Sequence, residues 1–357
     1  MINLIRKHKK NILYFLSVFC SASTIIFFYS YSIETKKINL DPGFMGSISF
    51  KDDGILCKVG SNSFCIKKIF DDFKISKRNI LFFGNSQTGA VNNFKKNDIS
   101  YVSNLKNEIF KKNRQNQIRG LWFPNANLVE YNQLNNLIKS CDIYIELLVI
   151  PIFLDDMREQ GVREEITKYK EQKCFSENLP KTIKTYELGN LEISNNRIKE
   201  KVLFLRKLEN LNKHLRLHIY KLRNFVFNIK PESIRGIKRA AYNENIRALK
   251  NILEERTINS TKTIVYIPPL LHFKSKKNIP YDHREYKKFK DEIANLCNKY
   301  ACNFYNLETL VPDNFWGLKS STSLLRGTKE IDFMHFTSTG HQIIADEFVK
   351  ILSAYGI

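Results

Sequence analysis

The sequence predicts an α/β fold, a three-layer α/β/α sandwich around a mainly parallel sheet, and three observations carry that expectation. Five short apolar runs recur from Lys77 onward, and segments with helical periodicity separate them. One run, Asp142 to Ile150, is apolar almost throughout, as a strand must be when helices cover both of its faces. Strands that alternate with helices pair in parallel, because each helix returns the chain to the starting edge of the sheet.

The first strand is Asn79-Ile80-Leu81-Phe82-Phe83, ended by Gly84, and the second runs from Gln117 to Phe123. Asp142 to Ile150 is the third, Thr263 to Ile267 the fourth, and Cys302 to Leu307 the fifth. Pro268-Pro269 closes the fourth, since proline cannot donate to a ladder. Helices are expected over Tyr281 to Tyr300 and Thr339 to Tyr355. A helical insertion over about 194–256 interrupts the rhythm, with Leu203, Leu205, Leu208, Leu211, Leu215 and Leu222 at helix-compatible intervals and Pro231 and Gly236 as breaks. It reads equally as a lid or partner-binding excursion and as a solvated amphipathic segment, and its basic surface also suits anionic lipid.

The chain has 357 residues, 43% hydrophobic and 12% aromatic, which excludes a disordered tail, a collagen-like chain and a small disulfide-stapled module. Lys+Arg number 57 against 36 Asp+Glu, a net charge of +21. These charges are scattered from Arg6 to Lys350 with no nucleic-acid-binding motif, so no nucleic-acid partner is expected.

Residues 1–11 form a basic segment, with Arg6, Lys7, Lys9 and Lys10, and 12–32 carry no charge. That stretch is long enough to cross about 30 Å of hydrocarbon. The flanking bases favour a cytoplasmic N-terminus and place everything after Lys36 outside. Cleavage at Cys20-Ser21-Ala22-Ser23 is disfavoured because Ile25 to Tyr29 continues the apolar run, and Phe19 before Cys20 argues against a lipoprotein. The expectation is a single-pass signal anchor, a membrane-proximal spacer over 33–76, and an extracytoplasmic domain over 77–357. Apart from Cys20, six cysteines remain in that disulfide-permissive setting. Cys57 and Cys65 bracket a turn and can pair; Cys141 reads as a small apolar core residue.

Ser86 follows the first strand in Gly84-Asn85-Ser86-Gln87-Thr88-Gly89. At the carboxyl end of a strand, where the next helix begins, a serine hydroxyl is exposed beside N–H groups that can hold an oxyanion, with Gly84 permitting the tight turn. The competing reading is a helix N-cap. Near the other end, Asp332-Phe333-Met334-His335 sits on an expected loop before the last helix, which Thr337 or Ser338 would cap. A carboxylate three residues from a histidine fixes the imidazole tautomer and leaves the other nitrogen for a serine. Asp155, Asp156 and Arg158 after the third strand read as cleft lining or as a structural ion pair, and His283 as a surface residue. His214 and His218 have metal-ligand spacing without a third ligand, so neither a metal nor a cofactor is expected.

Together, Gly84-Asn85-Ser86 and Asp332-Phe333-Met334-His335, with Gly340-His341 beyond, resemble the SGNH/GDSL hydrolase superfamily over roughly Lys77 to Ile357. The resemblance implies a flavodoxin-like sheet and a catalytic triad of Ser86, His335 and Asp332. It also implies oxyanion donors at Asn125, in the family's glycine position, and at Asn127 through its side-chain amide; no Asn follows the third strand. With the anchor, the chain looks similar to membrane-bound SGNH proteins that acylate cell-surface polysaccharides, often with a multi-spanning membrane acyltransferase as partner. The expected function is therefore an extracytoplasmic serine O-acyltransferase or esterase on a cell-surface glycan. A non-catalytic scaffold that binds polymer or the membrane partner is the runner-up, and a tethered lipase the third reading.

Overall fold

The structure, a computed structural model, describes residues 69–71, 73–74, 78–93, 95, 97–112, 116–164, 166–167, 215, 217–230, 234–271, 281–324 and 329–357. The uncharged stretch 12–32, residues 33–68 of the spacer with Cys57 and Cys65, and the first part of the expected insertion, His214 included, lie outside them, whereas Ile69, Phe70 and Phe73 at the end of the expected spacer are buried in the core of the domain. Among the described residues no helix is long and apolar enough to cross a membrane.

Five parallel strands form the central sheet: β1 (Arg78–Gly84), β2 (Asn116–Trp122), β3 (Leu147–Pro151), β4 (Lys262–Ile267) and β5 (Asn303–Asn306), in the order β2-β1-β3-β4-β5. Successive side chains of a strand point to opposite faces, and here both faces are apolar. Leu81, Phe83, Leu148, Ile150, Val265 and Ile267 enter one core; Ile80, Phe82, Leu147, Val149, Ile264 and Tyr266 enter the other. The single-turn helix α1 (Ser86–Gly89) and then α2 (Tyr101–Lys112) lead from β1 to β2, followed by α3 (Leu128–Ser140), α4 (Arg239–Ile258), α5 (His283–Lys299) and α6 (Ser338–Ser353). Residues of α3, α4 and α5 fill the first core, and those of α2 and α6 the second. In the second core, Phe348 of α6 meets Phe82, Tyr101 and Tyr266 with ring centroids 5.2, 5.9 and 5.1 Å away.

Three departures from the sequence reading have physical causes. The third strand starts only at Leu147, because Asp142 takes a left-handed turn (φ 52°) and the Ile143 N–H bonds back to Ile138, closing the end of α3. The last part of the expected insertion, from Arg239 on, is α4, in the crossover from β3 to β4, which buries Ala241, Leu249, Ile252 and Leu253. Its basic, leucine-bearing pattern continues that of the preceding segment, so nothing local marks where burial begins. Last, an antiparallel pair, β6 (Trp316–Ser320) with β7 (Lys329–Phe336), forms where a loop was expected.

Helical residues 217–226 precede α4 and turn an unusual face outward. Asn224 is buried and donates to the Thr322 carbonyl at 3.1 Å, whereas Ile219, Leu222 and Val226, on the opposite stripe at helical spacing, are 57%, 56% and 64% exposed. A disulfide joins Cys297 of α5 to Cys302 just before β5, across the left-handed Ala301; Cys141 is buried in the first core.

Candidate active site

Strand order fixes where a site can form. Chain connections leave β1 on one side and β3 on the other, so the crevice beyond their carboxyl ends is the switch point at which open α/β sheets bind ligands. Asn85 and Ser86 follow β1, and Asp155 and Asp156 follow β3.

Asn85, and not Ser86, caps the turn that follows β1: its Oδ1 accepts the Gln87 N–H at 2.9 Å. The serine hydroxyl is thereby released from capping. A Cβ on Gly84 would overlap the Thr88 side chain, so this glycine serves close approach, its φ lying outside the left-handed region. Ser86 begins a single turn of four residues. One turn has no macrodipole worth the name, so any help to an oxyanion comes from individual N–H groups.

Ser86 Oγ lies 3.0 Å from His335 Nε2, and His335 Nδ1 lies 2.8 Å from Asp332 Oδ2. With the carboxylate as acceptor, Nδ1 carries the proton and Nε2 accepts from the serine. Residues three apart on a regular strand point to opposite faces. Asp332 and His335 meet because the β6–β7 ladder is irregular here: Leu318 pairs with Ile331 and Trp316 with Phe336, leaving 332–335 opposite Gly317.

Asn92 holds this bulge in place and was not legible beforehand. Its Nδ2 donates to Asp332 Oδ2 at 2.9 Å, its Oδ1 accepts the Leu318 N–H at 3.2 Å, and its N–H donates to the Phe336 carbonyl at 2.7 Å. A Cβ on Gly317 would occupy the space of that side chain. Asp332 Oδ1 accepts the Met334 N–H at 3.0 Å. Burial pushes the Asp332 carboxyl up, but the His335 hydrogen bond and charge, Lys319 and the Met334 N–H outweigh it and hold the group below its ordinary value.

His341, expected only as a companion of Gly340, braces the site from behind. It is wholly buried; Nδ1 accepts the Tyr101 N–H at 3.2 Å, and Nε2 donates to the Ala90 carbonyl at 2.9 Å. Burial pulls its pKa down to about 4, so it is neutral. Thr337 stands at the N-cap of α6, but its hydroxyl donates to the Phe315 carbonyl.

Asn125 adopts a left-handed conformation, φ 53°, on the exposed turn after β2. Among the described residues neither its N–H nor that of Ser86 donates a hydrogen bond. Asn127 is the N-cap of α3: Oδ1 accepts the Glu130 N–H at 2.9 Å and Nδ2 donates to the Gly161 carbonyl at 3.0 Å. Its amide is thus committed to capping and to the 161 loop. After β3, Asp155 is ion-paired with both Arg158 and Arg235, while Asp156 is buried and accepts from Asn85 Nδ2. His283 and His218 are exposed on their helices.

No protein-family model matches the chain, and no curated protein does. Solved structures similar to it include Axe2, an acetylxylan esterase from Geobacillus stearothermophilus, at 12% identity and a TM-score of 0.39 over 77% of this chain and 94% of that one. A GDSL-like lipase from Parabacteroides merdae matches at 11% identity and 0.39 over 77% and 95%. An acylhydrolase from Bacteroides fragilis matches at 11% and 0.37 over 84% and 99%. Likeness of that order fixes no chemistry, and the functional reading stands on the geometry at Ser86.

Two outcomes follow for stability. Asn92→Ala removes a donor to a buried carboxylate and lowers unfolding free energy by about 2 kcal/mol in urea titrations, and Asn92→Asp lowers it further at neutral pH by setting two carboxylates together. His341, with its pKa lowered to about 4 from 6.5, takes up its proton in the unfolded chain first. Stability therefore falls as pH drops from 6.5 towards 4, by roughly 3 kcal/mol in all, and His341→Gln flattens that part of the pH–stability curve.

Proposed function

We propose that the chain is an extracytoplasmic serine esterase or O-acyltransferase that acts on acyl esters of a cell-surface glycan. The hydrogen-bonded series Ser86, His335, Asp332 carries this reading. Ser86 Oγ attacks the acyl carbonyl while His335 Nε2 takes its proton; Asp332 stays ionised and stabilises the imidazolium. The N–H groups of Ser86 and Asn125 receive the oxyanion. Collapse expels the alcohol, which takes the proton from His335, and leaves an acyl-serine. His335 then deprotonates the acceptor: water gives hydrolysis, and a sugar hydroxyl gives transfer.

Membrane attachment through 12–32, with the domain outside, is part of the proposal. The uncharged stretch supports it, as does the Cys297–Cys302 disulfide, since such bonds persist in oxidising compartments. The outward stripe of Ile219, Leu222 and Val226 suits a multi-spanning acyltransferase as partner, because apolar surface of that kind marks interaction sites. One observation favours the non-catalytic alternative: where an amide donor would follow β3, Asp155 is ion-paired instead.

Hydrolysis of p-nitrophenyl acetate by the full chain in detergent separates the two. The enzyme reading expects turnover that Ser86→Ala reduces by about a thousandfold or more, and a rise in p-nitrophenol release when an oligosaccharide acceptor is added identifies transfer. A folded wild type that turns over no faster than Ser86→Ala favours the scaffold.

A further inference from the structure

We infer that Asp156 is a positioning residue for the nucleophile, acting on Ser86 through Asn85; the inference rests on the acyl-transfer reading of the site. Asp156 opens the turn after β3, and Asn85 follows the neighbouring β1, so their contact spans the switch point of the sheet. Asn85 Nδ2 donates to Asp156 Oδ2, and Asn85 Oδ1 accepts the Gln87 N–H. The carboxamide therefore bridges the β3 loop to the turn that carries Ser86. A carboxamide held at one end only can rotate about χ2, and a half-turn would present an NH2 group to the Gln87 N–H and abolish the cap. The acceptor on Asp156 forbids that rotation.

Nothing else explains this acid. Among the described residues Asp156 makes no ion pair; Arg158 and Arg235 are taken by Asp155. Its surroundings are closed: it is 9% exposed, and the ring of Phe83, two residues before Asn85, stacks on buried Tyr131 at 5.1 Å. An unpaired carboxylate is costly in such a place, so burial favours the protonated form. Burial raises its pKa well above the ordinary value; the Asn85 hydrogen bond opposes this, and Asp155, Glu159 and Glu130 raise it further. Toward Asn85 the carboxyl acts as a plain acceptor, a role that an amide carbonyl can fill.

The test uses the full chain, p-nitrophenyl acetate kinetics, and hydrogen exchange at the Gln87 amide. Asp156→Leu removes the acceptor and is expected to lower kcat about tenfold or more with KM little changed, and to deprotect the Gln87 amide. Asp156→Asn is expected to recover most of both losses. If Asp156→Leu does not fold, Asn85→Ala breaks the bridge from the other end and must give the same fall in kcat, with no additional loss when Asp156→Asn is combined with it. Unchanged kcat and Gln87 protection in Asp156→Leu, or an Asp156→Asn variant as impaired as Asp156→Leu, would overturn the proposal. A silent wild type would sink the acyl-transfer reading instead, and Gln87 protection would still decide whether Asp156 holds Asn85.

Discussion

The Asp332 carboxylate is the constraint on which the site depends. It is 5% exposed and accepts hydrogen bonds from His335, Asn92 and the Met334 backbone. A buried carboxylate is tolerated only when its oxygens are satisfied, and here the donors come from the loop after the Ser86 turn and from the bulge of β7. Satisfying one acid thus clamps together two segments about 240 residues apart in sequence. The same clamp sets the imidazole tautomer, because the proton on Nδ1 is the one the carboxylate holds.

The sheet supplies what the clamp cannot. With β1 and β3 adjacent and chain connections departing to opposite sides, the backbone turns that follow them meet at one crevice. Ser86 arrives there from β1 with its hydroxyl unencumbered, since Asn85 does the capping. His341 seals the rear by bonding α2 to the loop after the turn. The geometry is therefore over-determined: each group is held by partners from a different element, which is what a preorganised nucleophile requires.

Much of this was legible in the sequence. Five apolar runs located the five parallel strands, and for β1, β3 and β4 burial on both faces leaves no other pattern. Ser86, Asp332 and His335 stood out because two short blocks at opposite ends of the domain each carry chemistry that makes sense only if they meet. Asn92 left no trace, because an Asn in a polar loop looks like any turn residue until Gly317 and Asp332 are seen against it. The role of Asp156 was hidden in the same way: adjacent acids after a strand read as one feature, yet Asp155 is ion-paired and Asp156 is buried behind Asn85. The disulfide escaped notice because a bridge between residues five apart depends on the left-handed turn at Ala301, which no glycine announces. Asn127 shows the opposite failing, an amide with a plausible chemical use whose atoms the start of α3 had already claimed.

The central claim is that these hydrogen bonds make Ser86 an activated nucleophile. The most direct measurement treats the full chain with a fluorophosphonate and maps the adduct by peptide mass spectrometry, for wild type and for Asp332→Asn. The account predicts a single adduct on the peptide containing Ser86, formed far more slowly in Asp332→Asn because the imidazole loses its tautomer. An adduct elsewhere, or equal labelling rates in the two proteins, would contradict it.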